Sequence, residues 1–368
     1  MKKGNKTSLD KSYIRGIDTM NKRIRDFGIV IGNFPCGHLN SISDVEGINV
    51  GHVTLDHGPV KTGVTVIMPG SGNIFREKML CGAHVINGFG KSTGLMQVDE
   101  LGTLETPIAL TNTLSVGDAY RGIVEYMLDK NPEIGDRTGT VNPLVFECND
   151  GYLNDLRRLQ VMPADIREAI AKASAGFEEG SVGAGTGMSA YGLKGGIGTS
   201  SRLIGAFGKS YTVGGLVLTN MGRLQDLTIR GKTASSELFE TFGNGPPDKG
   251  SVIMILATDV PLSPRQLKRL SKRCIVGLSR TGSKISNGSG EISFAFSTAN
   301  RIPHSPDELL NLTFLPDEEL DPFFEAAGDI IEEAILNSMI VSKDTTGRNN
   351  HFRASLLRYM SGFNTSSL

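Results

Sequence analysis

Short apolar runs separated by glycine clusters dominate the chain, and a few longer stretches carry helical periodicity. Residues 64–68 read as a strand, and 212–218 and 252–257 are stronger candidates. The segment 252–257 (VIMILA) is apolar at every position, so both its faces need cover and it belongs in the middle of a sheet. Residues 182–187 and 197–204 are further strand candidates, and in 292–296 Ile292, Phe294 and Phe296 alternate with Ser293 and Ala295. Helices are punctuated more clearly. Ser263, Pro264 and Gln266 stand in the order N-cap, first-turn proline and capping-box partner, and Leu267, Leu270, Cys274 and Leu278 then recur on one face. That pattern predicts a helix over 263–279. Asp321-Pro322 opens another, with a stripe of Phe324, Ala327, Ile331, Ala334, Ile335 and Met339. Residues 115–128, stopped by Asn131-Pro132, and 163–173 are two more. Strands and helices mix without βαβ alternation, so the expected fold class is α+β, a layered sandwich in one large domain over 22–368. Residues 1–21, polar and basic, are expected to be a flexible extension.

Composition narrows the function. The 368 residues carry 38 Lys+Arg against 39 Asp+Glu, a formal charge of −1. No basic stripe is available to neutralise phosphates, so a nucleic-acid partner is excluded as an expectation. Glycine supplies 46 residues, well above the average usage of about 7%, which reads as tight turns and close backbone approaches. Cys36, Cys81, Cys148 and Cys274 are too far apart for a CxxC pair and read as reduced thiols in the core or near a site. No apolar segment of secretory-signal type follows the basic start, and no stretch approaches the roughly 18 apolar residues of a membrane span. The expectation is a cytoplasmic protein with no membrane partner.

Several site motifs fail on spacing. Gly90-Lys91-Ser92 and Gly208-Lys209-Ser210 look like the end of a P-loop, but Val85 and Leu203 stand where its first glycine is needed. In GAGTGM (183–188), Met188 breaks the G-x-G-x-x-G spacing of a dinucleotide site, leaving turn and packing roles. Six histidines form no HExxH-like pair, and His84, in an apolar run, reads as a satisfied core histidine. One junction remains: NGPPDKGS (244–251) is turn chemistry running directly into the buried strand 252–257. Its plain reading is a loop entering a core strand. Its chemical reading is self-cleavage, in which Ser251 attacks the carbonyl carbon of Gly250 and the resulting ester hydrolyses. A new N-terminal amine, with a reference pKa of about 7.7–8.0, can then serve as general base for its own hydroxyl, and no histidine is needed.

Around this junction the sequence resembles the family of L-aminopeptidase D-amidase/esterases and β-aminopeptidases, self-cleaving relatives of the N-terminal-nucleophile hydrolases. The resemblance runs through ISDVEGINVGH (42–52), VINGFGKS (85–92), ELGTLETP (100–107), ECNDGYLND (147–155), GAGTGM (183–188), KGGIGTSSR (194–202), Gly250-Ser251 and GSGEI (288–292). These motifs are separate and in order from about residue 22 to 300.

The resemblance implies an α-β-β-α sandwich processed into residues 1–250 and 251–368, with Ser251 as the nucleophile. It implies Ser289 and Glu291 as a supporting pair, and Asn220 and Tyr152 as donors to the oxyanion. Glu147 would meet the free ammonium group of the substrate, with Asp150 and Asn149 in reach as competitors; a solvated charge or a structural ion pair is the alternative for Glu147. Cys148, beside it, shapes the pocket or merely packs. The implied activity is removal of an unblocked N-terminal residue from a short peptide, amide or ester, by a homotetramer of cleaved units, without metal or organic cofactor. Two alternatives stand beside it: an acyltransferase like the ornithine acetyltransferases, which carry threonine where this chain has Ser251, and a non-catalytic binding protein of the same fold.

Overall fold

The computed structural model describes residues 22–233 and 250–362. The expected extension 1–21 and most of the turn 244–251 lie outside the described residues. Ten strands make the two main sheets: β1 (Asn49–His57), β2 (Val60–Met68), β3 (Glu77–Gly88), β4 (Thr103–Leu104), β5 (Ile108–Asn112), β6 (Leu144–Cys148), β7 (Ile197–Ala206), β8 (Lys209–Asn220), β9 (Ser251–Thr258) and β10 (Gly290–Pro303). One sheet runs β1-β2-β5-β6, the other β4-β3-β10-β9-β8-β7.

The apolar pattern explains how they stack. Along β9, Ile253, Ile255 and Ala257 join Ile108, Leu110 and Phe146 in a core between the two sheets, while Val252, Met254 and Leu256 face helices. Both faces of the VIMILA strand are covered, as its composition requires. Helices α2 (Val116–Lys130) and α3 (Pro163–Ala171) cover the outer face of the four-stranded sheet through Ala119, Ile123, Ile166 and Ala169. Helices α4 (Pro264–Lys272), α5 (Cys274–Arg280) and α6 (Asp321–Ile340) cover the other sheet. A further helix, α1 (Leu95–Leu101), precedes β4. The result is the four-layer α-β-β-α sandwich, an α+β fold.

Three local expectations need correction. Residues 182–187 are not a strand: Gly183 to Gly185 form a 3₁₀ turn, with Gly183 at φ 52°. A Cβ on Gly183 would meet Val64 O at 2.7 Å, and one on Gly187 would meet Lys61 O at 2.0 Å, so these glycines serve a close approach to β2. The helix predicted over 263–279 divides at Arg273 into α4 and α5. There the Ser271 hydroxyl bonds back to Lys268 O at 2.9 Å, a competitor of the backbone ladder. His84 is half-buried on β3, near Lys268 and Lys272, rather than in the core; burial and both lysines lower its pKa.

Helix α6 is buried almost all round. Its apolar stripe faces the sheet, and its polar residues receive the segment before β1: Arg25 Nε donates to Glu333 at 2.7 Å and Ile24 N–H to Asn337 Oδ1 at 3.0 Å. Buried Arg202 of β7 donates to the same Glu333 at 2.6 Å.

Candidate active site

Ser251 is the first residue of β9 and is buried. Antiparallel pairing sets it opposite Asn220, the last residue of β8; parallel pairing sets it opposite Gly290, the first of β10. The junction before it is held closely. The Gly290 N–H donates to the Gly250 carbonyl at 3.1 Å. A Cβ on Gly250 would lie 1.9 Å from Asn220 O, and one on Gly290 would lie 2.6 Å from Phe89 O and 3.2 Å from Ser251 Oγ. Glycine at both places is a demand of space.

Ser289 and Glu291 flank Gly290 and are fully buried, and the Ser289 hydroxyl donates to Glu291 Oε1. β10 carries a bulge between Glu291 and Ile292 where it pairs with β3, a device that re-aims side chains beside sites. Asn87, at the end of β3, ties the loop before Ser289: its Nδ2 donates to Ser286 O at 3.0 Å and to Ser289 O. Sequence reasoning gave Asn87 no role, although it lies in the quoted 85–92 motif.

Asn220 has a fixed side-chain amide. Its Oδ1 accepts the Ser189 N–H at 2.9 Å, and its Nδ2 donates to Asn149 O at 2.9 Å. Among the described residues the second N–H of that amide has no partner.

Glu147, near the end of β6, is buried. Its Oε1 accepts the Lys91 N–H at 2.8 Å, and among the described residues no cationic side chain pairs with it. Neither the solvated charge nor the structural ion pair describes it. A buried carboxylate without a cation is costly, and an incoming ammonium group would complete it. The Gly90-Lys91-Ser92 segment, not a P-loop, is therefore the cap of Glu147; a Cβ on Gly90 would stand 3.1 Å from Glu147 Oε1.

Asp150 is separated from this role. It is fully buried, Asn154 Nδ2 donates to it at 3.0 Å, and burial raises its carboxyl to about 7 despite Thr62, Asn154 and Lys194, which oppose the rise. Cys148 packs: its thiol lies in the core between the sheets, 3.7 Å from Leu218 O. Burial, with Glu147 and Glu291 nearby, drives its pKa well up, which makes it a poor nucleophile. All four cysteines are free thiols. Asn149 is exposed beside Asn220. The ring of Tyr152 is half-exposed; it stacks on His351 at 4.5 Å, and the Arg353 guanidinium lies 3.6 Å from its centroid.

A serine at a buried strand start, a buried Ser–Glu pair and a fixed amide are the arrangement of a hydrolase of the N-terminal-nucleophile type. Comparison with known proteins agrees. The model of Peptidase family S58 matches residues 40–353, and the chain belongs to that family. It is 39% identical to the β-peptidyl aminopeptidase BapA of Sphingosinicella microcystinivorans, over 89% of this chain and 88% of that protein. A solved structure from Pyrococcus horikoshii OT3 superposes with a TM-score of 0.88 at 51% identity, over 92% of this chain and 98% of the other. The L-aminopeptidase D-Ala-esterase/amidase of Ochrobactrum anthropi, described as a prototype for the serine aminopeptidases and a variant of the Ntn-hydrolase fold, gives 0.85 at 36% identity, over 92% and 97%. The chain is accordingly a hydrolase, a serine aminopeptidase. Among the described residues no helix is long and apolar enough to cross a membrane.

Proposed function

We propose that this aminopeptidase is made by self-cleavage between Gly250 and Ser251 and that the released serine is its nucleophile. The observation that carries the reading is the junction itself, with Gly290 N–H on the Gly250 carbonyl at 3.1 Å and the Ser251 hydroxyl beside Gly290. In the first reaction Ser251 Oγ bonds to the Gly250 carbon, the C–N bond breaks, and the hydroxyl proton ends on the departing nitrogen. Water then hydrolyses the ester, leaving a Gly250 carboxylate and a free Ser251 amine. Negative charge grows on the oxygen that Gly290 already holds. Residues 1–250 and 251–368 stay together as one sandwich because β9 lies between β8 and β10.

In turnover the Ser251 amine takes the proton of its own hydroxyl as Oγ attacks the substrate carbonyl. Ser289 and Glu291 hold the nucleophile's surroundings, and the Asn220 amide donates to the oxyanion. Glu147 receives the substrate's free ammonium, which restricts the enzyme to unblocked N-terminal residues. The leaving amine departs with a proton, and water, or a second amine in peptide synthesis, releases the acyl group. Tyr152 takes no step in this reading. Short peptides, amides or esters with a β-amino or α-amino acyl end are the proposed substrates, the β-class supported by the likeness to BapA. A homotetramer of cleaved units in the cytoplasm is part of the proposal. A panel of L-, D- and β-amino acyl p-nitroanilides, with N-acetylated counterparts, tests it. Hydrolysis of free-amine members and not of blocked ones is expected; equal rates on both would overturn the role of Glu147.

A further inference from the structure

Lys194 opens the KGGIGTSSR motif and is fully buried, a position where an ammonium group is costly unless it is compensated. Its Nζ donates to Gly185 O and to Gly195 O, each at 2.8 Å. The Gly185 carbonyl also accepts the Met188 N–H at 3.3 Å, and the next residue, Ser189, is the one whose N–H holds Asn220 Oδ1. Gly195 and Gly196 lie against Thr219, the residue before Asn220: a Cβ on Gly195 would be 2.3 Å from Thr219 O, and Thr219 N–H donates to Gly196 O at 3.0 Å. On the other side, buried Asp150 is chain neighbour to Asn149, whose carbonyl accepts Asn220 Nδ2. Asn154 Nδ2 donates to Asp150 Oδ1 at 3.0 Å, and the Thr62 hydroxyl, which accepts from Asn112 Nδ2 at 2.8 Å, stands near the same carboxyl. Both bonds that orient the Asn220 amide therefore come from segments anchored by Lys194 or Asp150.

We propose that the buried Lys194 and Asp150, each anchoring one of the two segments that hold the Asn220 amide, are positioning residues that set its plane and so aim its second N–H at the oxyanion. The proposal rests on the reading of Asn220 given above. Packing alone would not call for two charges here, since apolar residues of similar volume avoid their desolvation. The other carboxylate acting on Lys194 is Asp56 of β1, itself engaged with Lys61 of β2; the Cys148 thiol is the further titratable group near Asp150. Burial lowers the Lys194 ammonium to about 7 and raises the Asp150 carboxyl to about 7, and each favours the charged form of the other.

The test uses the full chain carrying Asp150→Asn, Lys194→Met or Thr62→Val, the last removing the hydroxyl near the Asp150 carboxyl while leaving both charges. Each protein is sequenced from its new N-terminus, melted, and assayed for kcat and KM on an amino-acyl p-nitroanilide between pH 5 and 9. Removing an oxyanion donor costs about 10²–10³ in kcat, so misaiming one should cost about 10- to 100-fold, with KM within about threefold. For Asp150→Asn and Lys194→Met the kcat profile should also lose an ionisation near neutrality that the wild type shows. Thr62→Val should lower kcat severalfold, again without moving KM, and it keeps the test alive if the charge variants do not fold. A folded variant with kcat within twofold of wild type and an unchanged pH profile would overturn the positioning role. An inactive or uncleaved wild type would remove the underlying reading instead, so the two failures are distinguishable.

Discussion

Gly250→Ala is the perturbation that best separates self-cleavage from a passive loop entering a strand. The added Cβ would stand 1.9 Å from Asn220 O, 2.7 Å from Met221 Cα and 2.8 Å from Asn220 C, all main-chain atoms at the end of a central strand. Ordinary contact begins at about 3.4 Å, so the chain before Ser251 must move by more than about 1 Å, since no flexible side chain can yield. Movement of that size takes the Gly250 carbonyl off the Gly290 N–H and away from the Ser251 hydroxyl. Misplacement by about 1 Å costs on the order of 10²-fold in a positioned reaction. The strain itself costs about 1–3 kcal/mol, which lowers the melting temperature by several degrees without unfolding the protein. The assay is the time course of precursor conversion into two pieces by denaturing mass analysis, starting from freshly synthesised chain. A half-life lengthened about 100-fold or more in a folded variant is expected. Conversion within about threefold of the wild-type rate would refute the geometry.

Glu147→Gln removes the charge that meets the substrate ammonium while leaving the junction untouched; kcat/KM on free-amine substrates should fall about 10²-fold with the extent of self-cleavage unchanged, read from steady-state kinetics and gels of the same preparations. Glu333→Gln strands Arg202, with both side chains fully buried, and should cost about 3–5 kcal/mol, a melting shift of about 5 °C by calorimetry. Glu333 is itself held below its usual pKa: burial opposes this, but Arg25, Arg202 and Asn40 together outweigh it, so its contribution is present above the carboxylate range and lost on acidification. His52 is held neutral between Thr65 Oγ1 at 2.9 Å and Glu178 O at 3.1 Å, and burial lowers its pKa from 6.5 to about 4. Between those values the unfolded chain binds the extra proton, so stability falls as pH drops, by at most about 3 kcal/mol at pH 4; His52→Gln should lose that part of the slope in denaturant titrations.

Strands buried on both faces and helices with strong caps were legible because each residue reports its own environment. VIMILA needed cover on both sides and has it, and Ser263 with Gln266 marks a helix start that the structure keeps. β3 and β1 were not legible: GAHVING (82–88) and NVGHVTLDH (49–57) mix glycine and polar residues, and their cover comes from segments distant in sequence. The stretch 182–187 has strand-like composition only at its edges, and its glycines are there for close backbone contact with β2. At the site, Ser251, Ser289 and Glu291 could be named from motif resemblance, and pairing of β9 with β10 brings Ser251 opposite the glycine between the other two. The roles of Asn87 and the Lys91 N–H depend on where β3 ends, a tertiary fact. The packing of the Tyr152 ring against His351 and Arg353 is likewise a tertiary fact.

The central claim is that an internal serine becomes a terminus. Intact-mass measurement of freshly purified protein under denaturing conditions, with Edman sequencing of each component, addresses it directly. Two fragments that together make up the 39.4 kDa chain are expected, one beginning at Ser251, and a single inactive chain for Ser251→Ala. An uncut wild-type chain that still hydrolyses amino-acid amides would contradict it.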